Sequence, residues 1–189
     1  MRDVSTVREI ILPETTPETE WILDRPVQKI MPTTDHSILQ LAFAMALKAW
    51  AANTGTVGTE WRFRAAPPGE EIRPVVPDVA YMSFGRLRSL SPQERRTPPI
   101  APEIVVEILS PDDRQKDVDE KRRVYFAWGI TLEVIADPQT RTVDFYDSAE
   151  HFERVDASVE TYSPAVVRSL AFPLRAIFAE LDIPEQPLP

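Results

Sequence analysis

Between Pro102 and Pro111 runs Glu103-Ile104-Val105-Val106-Glu107-Ile108-Leu109-Ser110, a short apolar stretch with one carboxylate set inside it. β-Branched side chains dominate the run and a proline bounds each end, so it predicts a strand. Apolar residues on both of its faces require cover on both sides, which is the position of a central strand in a sheet flanked by helices. Alternation puts Ile104, Val106 and Ile108 on one face and Val105, Glu107 and Leu109 on the other. Glu107 therefore lies between two apolar neighbours, where an unpaired carboxylate costs several kcal/mol. Domains are held together by only ~5 to 15 kcal/mol, so such a residue needs a partner or a job.

The segments on either side supply the rest of an α/β domain, bordering on α+β. Pro77-Asp78-Val79-Ala80-Tyr81-Met82 predicts a second strand that opens on Asp78. Residues 36–50 form the most regular helix, capped by Thr34 or Asp35 and closing near Asn53-Thr54-Gly55; apolar on most faces, it is expected to be deeply packed. Val57, Thr59, Trp61, Phe63 and Ala65 alternate with Gly58, Glu60, Arg62 and Arg64, the period of a single half-buried strand. Glu60 would then pair with its neighbouring arginines on a solvated face. Residues 84–99 read as a basic loop, and residues 112–128 as a helix ended by Gly129. Residues 131–136 and 142–146 flank the turn Asp137-Pro138-Gln139-Thr140 and predict a hairpin. A last short helix covers residues 173–181. The first 32 residues read as an extended arm with short strands at 20–23 and 27–31, and residues 184–189 as a frayed tail of the same single domain.

Composition removes several classes of function. With no cysteine among 189 residues there is no disulfide framework, thiolate metal site or thiol nucleophile. The histidines are His36 and His151, neither near a Gly-x-Ser-x-Gly elbow, and five scattered glycines make neither a P-loop nor a dinucleotide fingerprint. No segment approaches the ~18 unbroken apolar residues of a membrane span and the N-terminus lacks the apolar core of a signal peptide, so a soluble, cytoplasmic protein is expected. The net charge of -9 argues against a polyanionic partner at first sight. The acidity is concentrated, however: residues 1–24 hold two arginines against six acids, and residues 144–160 hold one against six. The stretch between them, which carries both candidate carboxylates, is close to neutral.

On the helix at 112–128, Val118, Lys121, Val124 or Tyr125, and Trp128 recur at three- and four-residue spacing, so the face turned to the sheet carries one lysine. A helix returning across the strand it follows brings that ammonium toward Glu107, with Asp117 one turn before it. Asp78 completes a set of two acids and a lysine. Hard divalent ions take oxygen ligands, keep several waters and often use only one or two carboxylates. Such a site polarises a phosphodiester and activates a water, while the lysine stabilises charge developing on phosphorus. These residue types alone do not fix the substrate.

Pro77-Asp78, Glu107 within the Pro102 to Pro111 run, then Asp117, Lys121, Tyr125 and Gly129, and then Asp137-Pro138 together resemble the Uma-type family of bacterial putative restriction endonucleases, part of the PD-(D/E)XK nuclease-like superfamily. The resemblance extends from the helix at 36–50 to the hairpin. It implies a restriction-endonuclease-like mixed sheet flanked by helices and hydrolysis of nucleic acid, DNA first, with Mg²⁺ or Mn²⁺. Asp78 and Glu107 would be the metal ligands, assisted by a backbone carbonyl near Ile108. Lys121 would be catalytic, with Asp117 and Tyr125 in support, and a two-fold homodimer is a reasonable assembly for cutting both strands. One departure stands out: the superfamily places lysine two residues after the second acid, where this chain has Leu109. Lys121 resembles a lysine that has migrated to the following helix. Without it the same fold would serve as a binding or assembly module.

Other features have plainer readings. Arg86, Arg88, Arg95 and Arg96 share a short segment containing one acid, Glu94, and are the candidate phosphate contacts. His36 reads as a surface or capping residue, and the four tryptophans as core. A glycosidase would need two acids flanking a sugar cleft, and nothing in the sequence indicates one.

Overall fold

The computed structural model describes residues 7–183. The expected tail at 184–189 and the first six residues of the arm lie outside the described residues.

The arm is not simply extended. It pairs with itself as an antiparallel hairpin, β1 (Thr19–Ile22) with β2 (Arg25–Gln28), whose turn is made by Leu23 and Asp24, both at positive φ. Helix α1 (Thr34–Ala51) follows, its first turn capped by the Thr33 hydroxyl, which accepts from the His36 N–H at 3.3 Å. The strand expected over residues 57–65 is two strands in two sheets: β3 (Gly55–Thr59) and β4 (Phe63–Ala65). Glu60 has φ 49, a left-handed conformation that ends the extended run between them. β4 pairs with β5 (Arg73–Val75) in a small separate ladder.

β6 (Val79–Ser83) leads into a one-turn helix, α2 (Phe84–Arg88), at the start of the segment expected to be all loop. β7 (Ile104–Ile108) is the strand between the prolines, and α3 (Gln115–Trp128) returns from it to β8 (Leu132–Asp137). Gly129 ends α3 at φ 111, donating its N–H to the Tyr125 and Phe126 carbonyls; this conformation strains any residue with a Cβ. β9 (Thr142–Tyr146) completes the expected hairpin, followed by β10 (Phe152–Asp156) and α4 (Leu174–Ala179).

The main sheet has the order β10-β9-β8-β7-β6-β3, mixed, with β7 and β8 parallel and every other neighbouring pair antiparallel. A parallel pair requires a crossover, and α3 is that crossover. The two faces of β7 part as the alternation predicts. Ile104, Val106 and Ile108 join Leu39, Phe43 and Leu47 of α1 and the Phe172 and Phe178 rings in one core. Val105 joins Ala80, Met82, Val124 and Tyr125 in a second core under α3. All five residues of β7 are buried. No helix among the described residues is long and apolar enough to cross a membrane.

Candidate active site

The α3 face of the sheet changes character along its strands, from the apolar core under Tyr125 to a cavity of about 310 Å³ lined by charged side chains. Asp78 and Glu107 meet at its floor. β6 and β7 are antiparallel with Val79 opposite Val106, so one step further along each strand sets Asp78 opposite Glu107. Directly opposed residues of this kind have Cβ atoms about 4.5 to 5.5 Å apart. The backbone joins them too, because the Ile108 N–H donates to Asp78 Oδ2 at 2.7 Å.

Lys121 reaches Glu107. Its Nζ lies 2.8 Å from Glu107 Oε1, to which the Tyr125 hydroxyl also donates at 2.7 Å. Both residues come from the sheet-facing stripe of α3, one turn apart. Glu107 Oε2 takes no hydrogen bond among the described residues, and Glu107 lines the cavity. Asp117 also lines the cavity, but its carboxylate is held by Arg25 at 2.7 Å rather than by Lys121. The expected arginine segment lies elsewhere: Arg86 and Arg88 stand on α2, beyond the far end of β6 from Asp78. Arg86 pairs with Glu103 and donates to the Ala101 carbonyl, Arg95 donates to the Leu87 carbonyl, and none of the four arginines lines the cavity.

Several residues of the site were not expected there. His36 is buried, neither on the surface nor acting as the helix cap: its Nε2 lies 3.1 Å from Asp78 Oδ2. It occupies the buried stripe of α1 with Leu39, Phe43 and Leu47, a spacing visible in the sequence. Lys29, at the end of the hairpin, donates to Asp78 Oδ1 at 2.6 Å and to the Val76 carbonyl at 3.1 Å, and pairs with Glu60 at 2.9 Å. Glu60 thus serves Lys29 rather than the arginines beside it, which pair with Glu18 and Glu9. Glu20 of β1 accepts from the Val76 N–H at 2.6 Å and from Lys121 at 3.1 Å. No local sequence signal could place Glu20 and Lys29, since the hairpin reaches the site only through tertiary packing.

Glu133 is the least satisfied member. It stands on β8 opposite Val105, on the face shared with Glu107, and is fully buried with no hydrogen-bond partner for either oxygen among the described residues. Its strand partner Tyr146 lies beneath the Arg122 guanidinium, 4.3 Å from the ring centre, and Arg122 Nη1 is unpartnered as well. The sequence signal was there, because Glu133 interrupts Leu132-Val134-Ile135 as Glu107 interrupts its own strand.

The electrostatics follow from this placement. Burial would raise the Asp78 carboxyl, yet the Lys29 ammonium, the His36 hydrogen bond and Lys121 hold it well below the usual carboxylate range. Burial pushes Glu107 up, to about 7, because desolvation and the neighbouring Asp78 outweigh the pull of Lys121. Burial likewise pushes Glu133 up, to about 8, helped by the charge of Glu107. For Lys121 burial acts downward, but Glu107, Glu20 and Asp78 hold the ammonium charged.

These donors suit one kind of cation. Two opposed carboxylates, with Glu107 Oε2 taking no hydrogen bond among the described residues, fit a hard divalent ion that keeps several waters. They do not form a closed cage: among the described residues no three His, Asp or Glu side chains are grouped to hold a metal.

Comparison with known proteins agrees with this fold. The family model Uma2, described as "Putative restriction endonuclease", matches residues 9–177. A solved structure of a putative nuclease belonging to DUF820, from Anabaena variabilis, superposes with a TM-score of 0.74 at 25% identity, covering 90% of this chain and 94% of the other. No curated protein matches the chain.

Proposed function

Because the chain belongs to the Uma2 family of putative restriction endonucleases, we propose that it is a divalent-metal-dependent nuclease that hydrolyses phosphodiester bonds from the Asp78, Glu107 and Lys121 cluster. One observation carries this reading. Where the superfamily pattern has lysine this chain has Leu109, and the ammonium of Lys121, from the following helix, lies 2.8 Å from Glu107.

Asp78 and Glu107 would hold Mg²⁺ or Mn²⁺, which when bound polarises the phosphodiester and makes its water a better nucleophile. The protein's own groups prepare that chemistry. Tyr125 and Lys121 both engage Glu107 Oε1 and so leave Oε2 turned to the cavity. Lys29, His36 and the Ile108 N–H fix Asp78 in its ionised form. An ammonium has three donors; Glu107 and Glu20 take two from Lys121, leaving one for a phosphate oxygen as charge develops there.

A second reading rests on the same contacts. Asp78 is already satisfied by protein donors, as expected of a nuclease-like fold kept as a binding or assembly module. Cleavage decides between them. Purified protein is expected to cut nucleic acid in Mg²⁺ or Mn²⁺, and Glu107→Gln and Lys121→Met to abolish cutting while remaining folded by circular dichroism. Activity that survives both substitutions assigns the cutting to another site or a contaminant.

A further inference from the structure

Resting on the nuclease reading, we propose that the substrate of this site is an unpaired strand of nucleic acid, a single strand or a frayed end, and not the backbone of an intact duplex. The N-terminal hairpin decides access. It crosses the carboxylates and is fastened on both sides. Toward α3, Glu20 holds Lys121 and Arg25 holds Asp117. Toward β6, Glu20 accepts from the Val76 N–H and Lys29 grips Asp78 and the Val76 carbonyl.

Beneath this strap Asp78 is 2% and Glu107 9% exposed. The space left above them is about 310 Å³, at the lower end of the roughly 300 to 1,000 Å³ typical of pockets that enclose a small ligand. That is room for one nucleotide. A duplex is stiff over ~150 base pairs and keeps its nucleotides paired and stacked, so it cannot bend one phosphodiester under the hairpin into this narrow cleft without extruding a nucleotide. Enzymes that do chemistry on a base in such pockets act on single strands or on nucleotides taken out of the stack, and a backbone phosphate led under the hairpin meets the same constraint.

Charge and polarity at the cavity agree. Duplex binding draws mainly on basic groups along the phosphates, but here Arg25 and Arg114 share the lining with Asp112, Asp113 and Asp117, and Arg25, Lys29 and Lys121 are already paired with Asp117, Asp78 and Glu107. The hairpin wall contributes Ile22, Val27 and Ile30, apolar surface suited to an unpaired base or sugar and not to a ridge of phosphates.

The test uses the full chain in Mn²⁺ with five probes: a single-stranded DNA oligonucleotide, its RNA counterpart, the blunt DNA duplex, that duplex with a single-stranded overhang, and covalently closed plasmid. Cleavage of the single strands and the overhang is expected to exceed that of the blunt duplex and plasmid by about tenfold or more. The DNA and RNA arms tell a deoxyribose from a ribose strand. Blunt duplex or plasmid cut as fast as the single strands overturns the proposal. If nothing is cut, the nuclease reading fails, and strand preference is read instead from fluorescence anisotropy of Glu107→Gln with the same probes. Single strands bound about tenfold tighter than duplex uphold the preference on its own; equal binding, or none, overturns it.

Discussion

The α1 face and the α3 face of the sheet are built from the same strands, yet one is almost wholly apolar and the other changes to charge halfway along. Against α1, Val106, Ile108, Leu132 and Val134 meet Leu39, Phe43 and two further rings, Phe172 and Phe178, with no carboxylate, lysine or arginine in the cluster. Against α3, Val105, Met82 and Tyr125 form a smaller core, and the same strands then present Asp78, Glu107 and Glu133. The first face gains stability from burial at roughly 25 cal/mol per Å². The second gives some of that up to desolvated charges, whose pairing rarely does more than offset their burial. Period-2 alternation lets one strand serve both purposes, since neighbouring residues answer to different faces.

Substitutions on the two faces are expected to separate stability from activity. The largest effect is on the apolar face: Phe43→Ala is expected to cost about 3 to 5 kcal/mol in urea unfolding, with the cleavage rate per folded molecule unchanged. A cost below about 1 kcal/mol would remove the contrast. On the charged face, Tyr125→Phe deletes a hydrogen bond to Glu107 and is expected to cost about 1.5 to 3 kcal/mol together with a loss of cleavage. Full activity in that variant would show that Glu107 needs no orienting.

Glu133→Gln reverses the sign. The folded protein holds the Glu133 carboxyl at about 8 against an ordinary 4.5, so it binds a proton that the unfolded chain releases. Stability from this group is complete below about pH 4.5 and is lost as pH rises through about 8. Glu133→Gln is therefore expected to stabilise at pH 9 by several kcal/mol, at about 1.4 kcal/mol for each pKa unit, and to give no gain at pH 4, read from paired urea titrations. An equal gain at both pH values would mean that Glu133 is not protonated on folding. The smallest effect is expected away from both faces, where Arg86→Ala should change stability by less than about 1 kcal/mol and leave cleavage intact. Impaired cleavage would return the arginine segment to the substrate path.

Much of the sheet was readable because its signals are local. The β7 alternation, the α3 stripe that carries Lys121 to Glu107, and the β8–β9 hairpin each lie within a few turns of chain. Two failures were failures of weighting. His36 shares a helical stripe with Leu39 and Phe43, and Glu133 repeats the signature that singled out Glu107, but neither was read that way. The rest could not be read locally. Glu20 and Lys29 meet Lys121 and Asp78 across separations of 101 and 49 residues. The break at Glu60 depends on a backbone conformation that alternation does not reveal. The central strands of the main sheet were thus legible from periodicity, whereas the packing of the hairpin over the site was not.

The nuclease reading requires Asp78 and Glu107 together to hold one divalent cation. Electron paramagnetic resonance of Mn²⁺ titrated into the folded protein tests it without any substrate. One bound ion per chain is expected for the wild type and for Arg86→Ala, and none for Asp78→Asn or Glu107→Gln. Mn²⁺ bound equally by all four proteins, or by none of them, would contradict it.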